Sequence, residues 1–363
     1  MPASFYLPTF FTIVGLLCLV YSSRLVLSSD SHLQEESKSI IPTLILSLFF
    51  IIWLGFRPVS GVYFGDTINY ANDYKNLEYY KVAIDWHQEW FWSFIMVSCK
   101  TAGMSVNVFF TVIEAGYILS VLWAIKKFLP SNPMIGMLFI FSSLMFFSFG
   151  TNGLRNGLAC HIILLAIAFF FTDRYFVAIL LALMAFGIHR SVILPIVAVI
   201  VARYIIKDFK WAIYIWVLCL IVSIVAGGAA TGYVSSLGFD DRLSAYNTTE
   251  YQDSFSATGF RFDFLIYSLP PIILGWYLLI KLKIQDDWYK TLCIAYCLCN
   301  AFWVIVIRMA FSNRFAYLSW FMYPVLIAYP LVNLPIWEDQ DREMGVVLLG
   351  YCAFSMFMNL LIW

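Results

Sequence analysis

The sequence predicts an all-α, polytopic integral membrane protein, and two observations carry that class. The 363-residue chain is 62% hydrophobic while only 12% of it is charged, about half the charged share of a soluble domain. Apolar runs of roughly 17 to 25 residues recur from Phe5 onward, each long enough to cross hydrocarbon about 30 Å thick as a helix. No stretch remains for a soluble domain of any size, so residues 1–363 are expected to form one membrane-embedded domain.

About twelve transmembrane helices are expected, taken in chain order. The run 5–27 reads as a retained span, because no basic region precedes it and no A-x-A-like cleavage site follows. A second span covers 40–56, and a polar stretch separates it from a third at 105–125. The others fall at 133–149, 153–172, 174–188, 191–206, 211–227, 263–280, 290–308, 314–333 and 344–362. Alternate connections carry the basic residues: Lys126 and Lys127, Arg174, Lys207 and Lys210, Lys281, Lys283 and Lys290, then Arg342. Short basic loops face the cytoplasm. The alternation therefore places residues 24–38 inside and 57–88 outside, with both termini outside, provided that 89–103 does not cross. That segment, "EWFWSFIMVSCKTAG", is short for a crossing and charged near both ends, and it reads as a re-entrant or interfacial helix. The two longest outer connections, 57–104 and 228–262, are the expected recognition surface.

Several function classes fall away on composition. A formal net charge of zero and the lack of an arginine-rich arm exclude a nucleic-acid surface. The eight cysteines lie almost entirely inside apolar runs with no histidine at ligand spacing, so no metal site is expected and they read as small buried hydrophobes. No period of 20 to 50 residues marks a solenoid or a duplicated transporter half.

The polar residues at the edges of the spans carry the functional reading. A charge at a helix centre in hydrocarbon costs about 2.5–3.5 kcal/mol, so each such group has a partner or a purpose. Arg57, Asp66, Glu89, Arg155, His189, Arg190, Arg261, Arg308 and Arg314 all fall at outer ends of spans. In "FGTNGLRNGLA", Asn152, Arg155 and Asn156 share one face at the start of a span. A helix N-terminus already favours anions, and a guanidinium there makes a phosphate cradle, although an arginine at that depth can also snorkel to headgroups. "FGIHRSVILP" places His189 and Arg190 at the apex of a tight turn, suited to a general base beside an anion or simply to a loop. In "WLGFRPVSGVYFGDTINYANDY", Asp66 and Asp73 stand among Tyr63, Phe64, Tyr70 and Tyr74, the mixture of acids and rings that sugars bind, and Asp66 is equally an ion-pair partner for Arg57. Glu114 lies mid-span and His161 one turn into another; an ion pair from Glu114 to Lys100 or a proton pathway would explain them.

These motifs, in this order, resemble a family. "FR…GDT..Y" (Arg57, Gly65, Asp66, Thr67, Tyr70), "EWFW" at Glu89, "N.LRNGLA" (Asn152 to Ala159), "HRS" (His189 to Ser191) and a late "NR" (Asn313, Arg314) resemble the EpsG-like group of bacterial exopolysaccharide and O-antigen polymerases, the Wzy type. The resemblance runs from about residue 50 to 330. The family often has Glu-Pro-Gly and an aromatic where this chain has Glu89-Trp90-Phe91-Trp92, and Gln where it has Asn156.

The resemblance implies a multi-pass protein of the bacterial inner membrane with its active site facing the periplasm. There it would join oligosaccharide repeat units carried on undecaprenyl diphosphate, as both donor and acceptor, without cofactor, metal or nucleotide sugar, and with a chain-length regulator as a partner. On that reading Arg155, Arg308, Arg314 and Arg190 bind diphosphate, Arg57, Tyr70, Glu89, Asn152 and Arg261 bind sugar, and His189 or Asp66 takes the acceptor proton. His189 is preferred for its titration range near neutrality. An O-antigen ligase, a flippase for the same lipid-linked sugar, and an acyltransferase using His189 are the competing readings. The first would carry a larger outer domain, the second internal duplication with mid-bilayer charges, and the third a second catalytic residue.

Overall fold

A computed structural model describes residues 1–27, 39–77, 89–236 and 259–362. Residues 28–38 of the expected inner connection 24–38, 78–88 of the outer stretch 57–88 and 237–258 of the outer loop 228–262 lie outside the described residues. Among those described, every regular element is a helix.

The helices are α1 Tyr6–Leu27, α2 Ile40–Gly55, α3 Gly61–Phe64, α4 Thr67–Asn76, α5 Trp90–Thr101, α6 Val106–Phe128, α7 Pro133–Phe141, α8 Phe146–Thr151, α9 Leu154–Phe171 and α10 Tyr175–Ile188. They are followed by α11 Ile193–Tyr204, α12 Phe209–Ser236, α13 Phe262–Gly275, α14 Asp287–Ile305, α15 Ser312–Trp320, α16 Tyr323–Asn333 and α17 Gln340–Ile362. Serine opens three of them in the expected way: Ser39, Ser60 and Ser105 each accept a backbone N–H of the first turn. α12 is kinked at Ala226, and α13 runs on into a π-helical turn at Trp276–Lys281.

Among the described residues eight helices are long and apolar enough to cross a membrane, and Ile40–Gly55 and Tyr175–Ile188 are two shorter apolar ones. The expectation of about twelve spans counts apolar runs, and some runs are not single helices. The run 133–149 divides between α7 and α8, where the Ser142 hydroxyl bonds back to the carbonyls of Leu138 and Phe139 and competes with the helix ladder. α11 and α5 have 12 residues each, a rise of about 18 Å against a hydrocarbon core of about 30 Å.

The chain divides into two compact units, Met1–His189 with Ala328–Trp363, and Arg190–Ile327. In the first, α1 lies along α17, and α6 packs on both α2 and α9. Its centre is aromatic: the Phe10 ring lies 5.2 Å from those of Phe50 and Phe147, all buried. Helices in lipid gain little from excluding water, so such close packing holds them together.

The second unit packs α14 against α11, α12 and α15. A buried polar knot ties its helices. The Trp216 indole donates to Asn300 Oδ1 at 2.8 Å, the Asn300 amide donates to Ser268 and Ser319 hydroxyls at 3.1 and 3.0 Å, and the Trp320 indole donates to Ser268 at 2.8 Å. Tyr296 adds a bond to the Ser268 carbonyl at 2.9 Å.

Candidate functional site

Three residues far apart in sequence meet in the first unit. Glu89, just ahead of α5, extends one carboxylate oxygen to Arg155 Nη1 in the first turn of α9. Its other oxygen lies 2.8 Å from His189 Nδ1, at the C-terminal end of α10. Arg155 also donates through Nε to the Tyr70 hydroxyl at 3.4 Å and lies over the Tyr70 ring, which is in turn edge-on to Trp92. Side-chain exposure is 30% for Arg155, 13% for Glu89 and 6% for His189, so the cluster is sheltered but not sealed.

Backbone packing makes this meeting possible. Gly187 in α10 lets the start of α5 approach: a Cβ there would come within 2.6 Å of the Trp90 ring. The sequence "EWFW" thus sets Glu89 opposite "IHR" by seating Trp90 on a glycine.

The chemistry of the cluster follows from its donors. A carboxylate paired with arginine is ionised and only accepts hydrogen bonds. The proton of a neutral His189 must then sit on Nδ1, which leaves the lone pair on Nε2. An acid that fixes the tautomer and orientation of an imidazole is the arrangement of base and orienting group that general-base catalysis requires.

A second layer lies behind this cluster. Arg57, expected to touch sugar, is completely buried and spends its guanidinium on protein. It donates to the Leu54 carbonyl at 2.7 Å, Glu114 at 2.9 Å and the Thr151 carbonyl at 3.2 Å, and reaches the Thr67 hydroxyl at 3.5 Å. Two sequence expectations change as a result. The Arg57 partner is Glu114, not Asp66. The Glu114 partner is Arg57, not Lys100, whose ammonium instead caps the carbonyls of Tyr74 and Lys75. Burial is the reason: a charge inside helices needs an equally buried counter-charge. His161, the other mid-span oddity, stacks on Tyr117 at 3.9 Å and bonds to the Tyr117 carbonyl.

Asp66 and Asn152 belong to the same region. The Asn152 amide oxygen accepts the Asp66 backbone N–H at 2.8 Å, and Gly65 beside it has φ +48, where a side chain would run into Asn152. The part-exposed Asp66 carboxylate accepts from Asn69 at 3.3 Å. Tyr70 lies four residues on, on the same face of α4. Asn152 therefore holds the turn that presents Asp66, while Asn156, its expected companion, is buried and accepts from Cys160.

The remaining candidates lie in the second unit. Arg261 is committed to Asp263 by two bonds of 2.9 and 2.5 Å. Arg314 lies over the ring of Phe311, and Arg190 is exposed. Arg308 differs from them: it is half-buried against the Phe260 ring, and its Nε is buried with no hydrogen-bond partner among the described residues. No group of three or more His, Cys, Asp or Glu suited to a metal occurs among the described residues.

Fold and cluster together define a polytopic helical membrane protein with a sheltered Arg–Glu–His site at the ends of its helices. Residues 40–363 match the EpsG family, and the chain belongs to that family. Membership points to a polysaccharide-polymerase type of membrane protein acting on lipid-linked saccharides. No curated protein and no solved structure matches the chain.

Proposed function

We propose that the protein is a glycosyltransferase that polymerises oligosaccharide repeat units carried on undecaprenyl diphosphate, at the periplasmic face of the bacterial inner membrane. The observation that carries this reading is the double engagement of Glu89, which holds an anion-binding arginine and a proton-accepting histidine side by side. Polymerisation needs those two functions together. The family supplies the substrate class, and the alternation of basic loops supports the side of the membrane.

In the proposed step, the bond between the anomeric carbon of the growing chain and its diphosphate breaks, and its electron pair leaves with the diphosphate. The terminal hydroxyl of the incoming repeat forms the new glycosidic bond and passes its proton to His189 Nε2. Arg155 meets the negative charge that develops on the leaving group, so it binds the transition state more tightly than the ground state. Tyr70 and Trp92 are buried and hold Arg155 in place, with the guanidinium over the Tyr70 ring, and the part-exposed Asp66 accepts sugar hydroxyls. In the second unit, Arg308 keeps its Nε without a hydrogen-bond partner among the described residues. Arg57 takes a structural role, because none of its surface reaches solvent.

Arg155→Ala tests the proposal in cells. At normal membrane abundance it is expected to abolish long polysaccharide while lipid-linked single repeats persist. Long chains of normal distribution from that variant would remove Arg155 from the reaction.

A further inference from the structure

The second unit carries a polar cleft that the polymerase chemistry does not use. It is a cavity of about 360 Å³ among the residues preceding and opening α12, the turn after α13 and the first turn of α14. Lys207, Lys210, Lys283 and Lys290 line it, with Asp208 as the only lining acid. It lies at the opposite end of α13 from Arg261, one span of 20 residues away.

The lysines differ in how far they are already neutralised. Lys290 bonds to Asp287 at 2.7 Å, and Arg203 shares the same carboxylate at 3.8 Å. Lys207 donates to the Arg203 carbonyl. Asp208 caps α12 by accepting the Lys210 backbone N–H at 2.9 Å. Lys210 and Lys283 are exposed, and their ammonium groups have no acceptor among the described residues. The N-terminus of α12 adds its partial positive charge at the same place. Leu279, Ile280 and Ile284 form an apolar wall beside the ammonium groups.

We propose that this cleft binds a phosphate-bearing anion, the headgroup of an anionic phospholipid, with Lys210 and Lys283 on the phosphate and the apolar wall against the acyl chains. Charge and shape favour it: with Lys290 paired to Asp287, three further lysines against the one lining acid make an anion site, and a cleft with one apolar side suits an amphiphile. Basic pockets between membrane helices on the cytoplasmic side take acidic headgroups in this way, and each lysine near such a surface contributes a several-fold gain in binding. The basic-loop alternation puts this end of α12 to α14 on that side.

The test uses the full-length protein and its Lys210→Gln/Lys283→Gln variant, purified into nanodiscs of phosphatidylcholine alone or of phosphatidylcholine with phosphatidylglycerol. Native mass spectrometry counts retained lipid, and thermal unfolding is followed with and without inorganic phosphate. Wild type should retain phosphatidylglycerol and melt higher in its presence, with the double variant losing roughly tenfold or more of that retention. The replacement Lys210→Arg/Lys283→Arg should keep it. Stabilisation of wild type by inorganic phosphate in phosphatidylcholine discs, absent from the Gln variant, would assign the same site to a soluble phosphate. Equal behaviour of wild type and Gln variant in every arm overturns the proposal. Both lysines are exposed, so a misfolded variant is not expected, and its melting in phosphatidylcholine alone checks that.

Discussion

The two units of this protein bury different kinds of polar group at their centres. The first unit buries charge: Arg57 with Glu114 at 0% and 1% exposure, and Glu89 between Arg155 and His189. The second buries neutral groups, with Asn300, Ser268 and Ser319 fully enclosed and bonded to one another and to two indoles. A closed set of neutral bonds specifies one packing and asks for nothing further. The buried ion pair of the first unit is less completely bonded: Arg57 Nε and Glu114 Oε2 have no partner among the described residues. The neutral knot serves architecture, and of the charged groups in the first unit it is the partly exposed Glu89 cluster, not the enclosed Arg57–Glu114 pair, that is open to chemistry.

The largest expected effect lies at the open end of that contrast. Glu89→Gln keeps the shape but removes the negative charge and leaves the His189 tautomer unspecified. The polymerisation rate per protein should fall about 10²–10⁴-fold, the range for a general base deprived of its function. In vitro extension of a lipid-linked repeat, normalised to membrane abundance, measures it. A rate within a few-fold of wild type would show that the Glu89–His189 contact only shapes the fold.

The buried pair comes next. Arg57→Met alone leaves Glu114 charged and buried, and should destabilise the protein by about 3–5 kcal/mol. The double change Arg57→Met/Glu114→Leu should recover most of that loss, because well-packed apolar groups replace buried ion pairs at little cost. Thermal unfolding in detergent reads the stability, and repeat-unit extension reads the function. Recovery of stability without activity would show that Arg57, through Thr67 and the Thr151 carbonyl, positions α4 and the Asn152 turn. Recovery of both would reduce the pair to a strut.

Hydropathy made the helical membrane class legible, because long apolar runs have few other uses. Arg155 and His189 stood out for the same reason, as costly groups at the ends of such runs. Pairings were not legible. Glu89 and His189 are 100 residues apart, and Arg57 and Glu114 are 57 apart, so nothing local ties them. Lys100 looked the better partner for Glu114 only because it is closer along the chain. Glu89 itself read as one sugar ligand among several, since its two-sided role exists only once α5, α9 and α10 are packed. The split of 133–149 escaped for another reason: hydropathy does not register serines that bond back and end a helix.

The neutral knot of the second unit was equally silent in the sequence, where Asn300 is a single amide in an apolar run, and it supplies the smallest predicted effect. Asn300→Ala removes three hydrogen bonds and strands the Trp216 indole. Hydrogen bonds between membrane helices average about 0.6 kcal/mol each, so the expected loss is about 2 kcal/mol of stability. Polymerisation per folded protein should be unchanged, because the knot is fully buried and its bonds all end on protein groups. Thermal unfolding and repeat-unit extension on the same preparation separate the two quantities. Loss of activity with stability intact would break the contrast between the units, since a satisfied, neutral, buried network would then be taking part in the reaction.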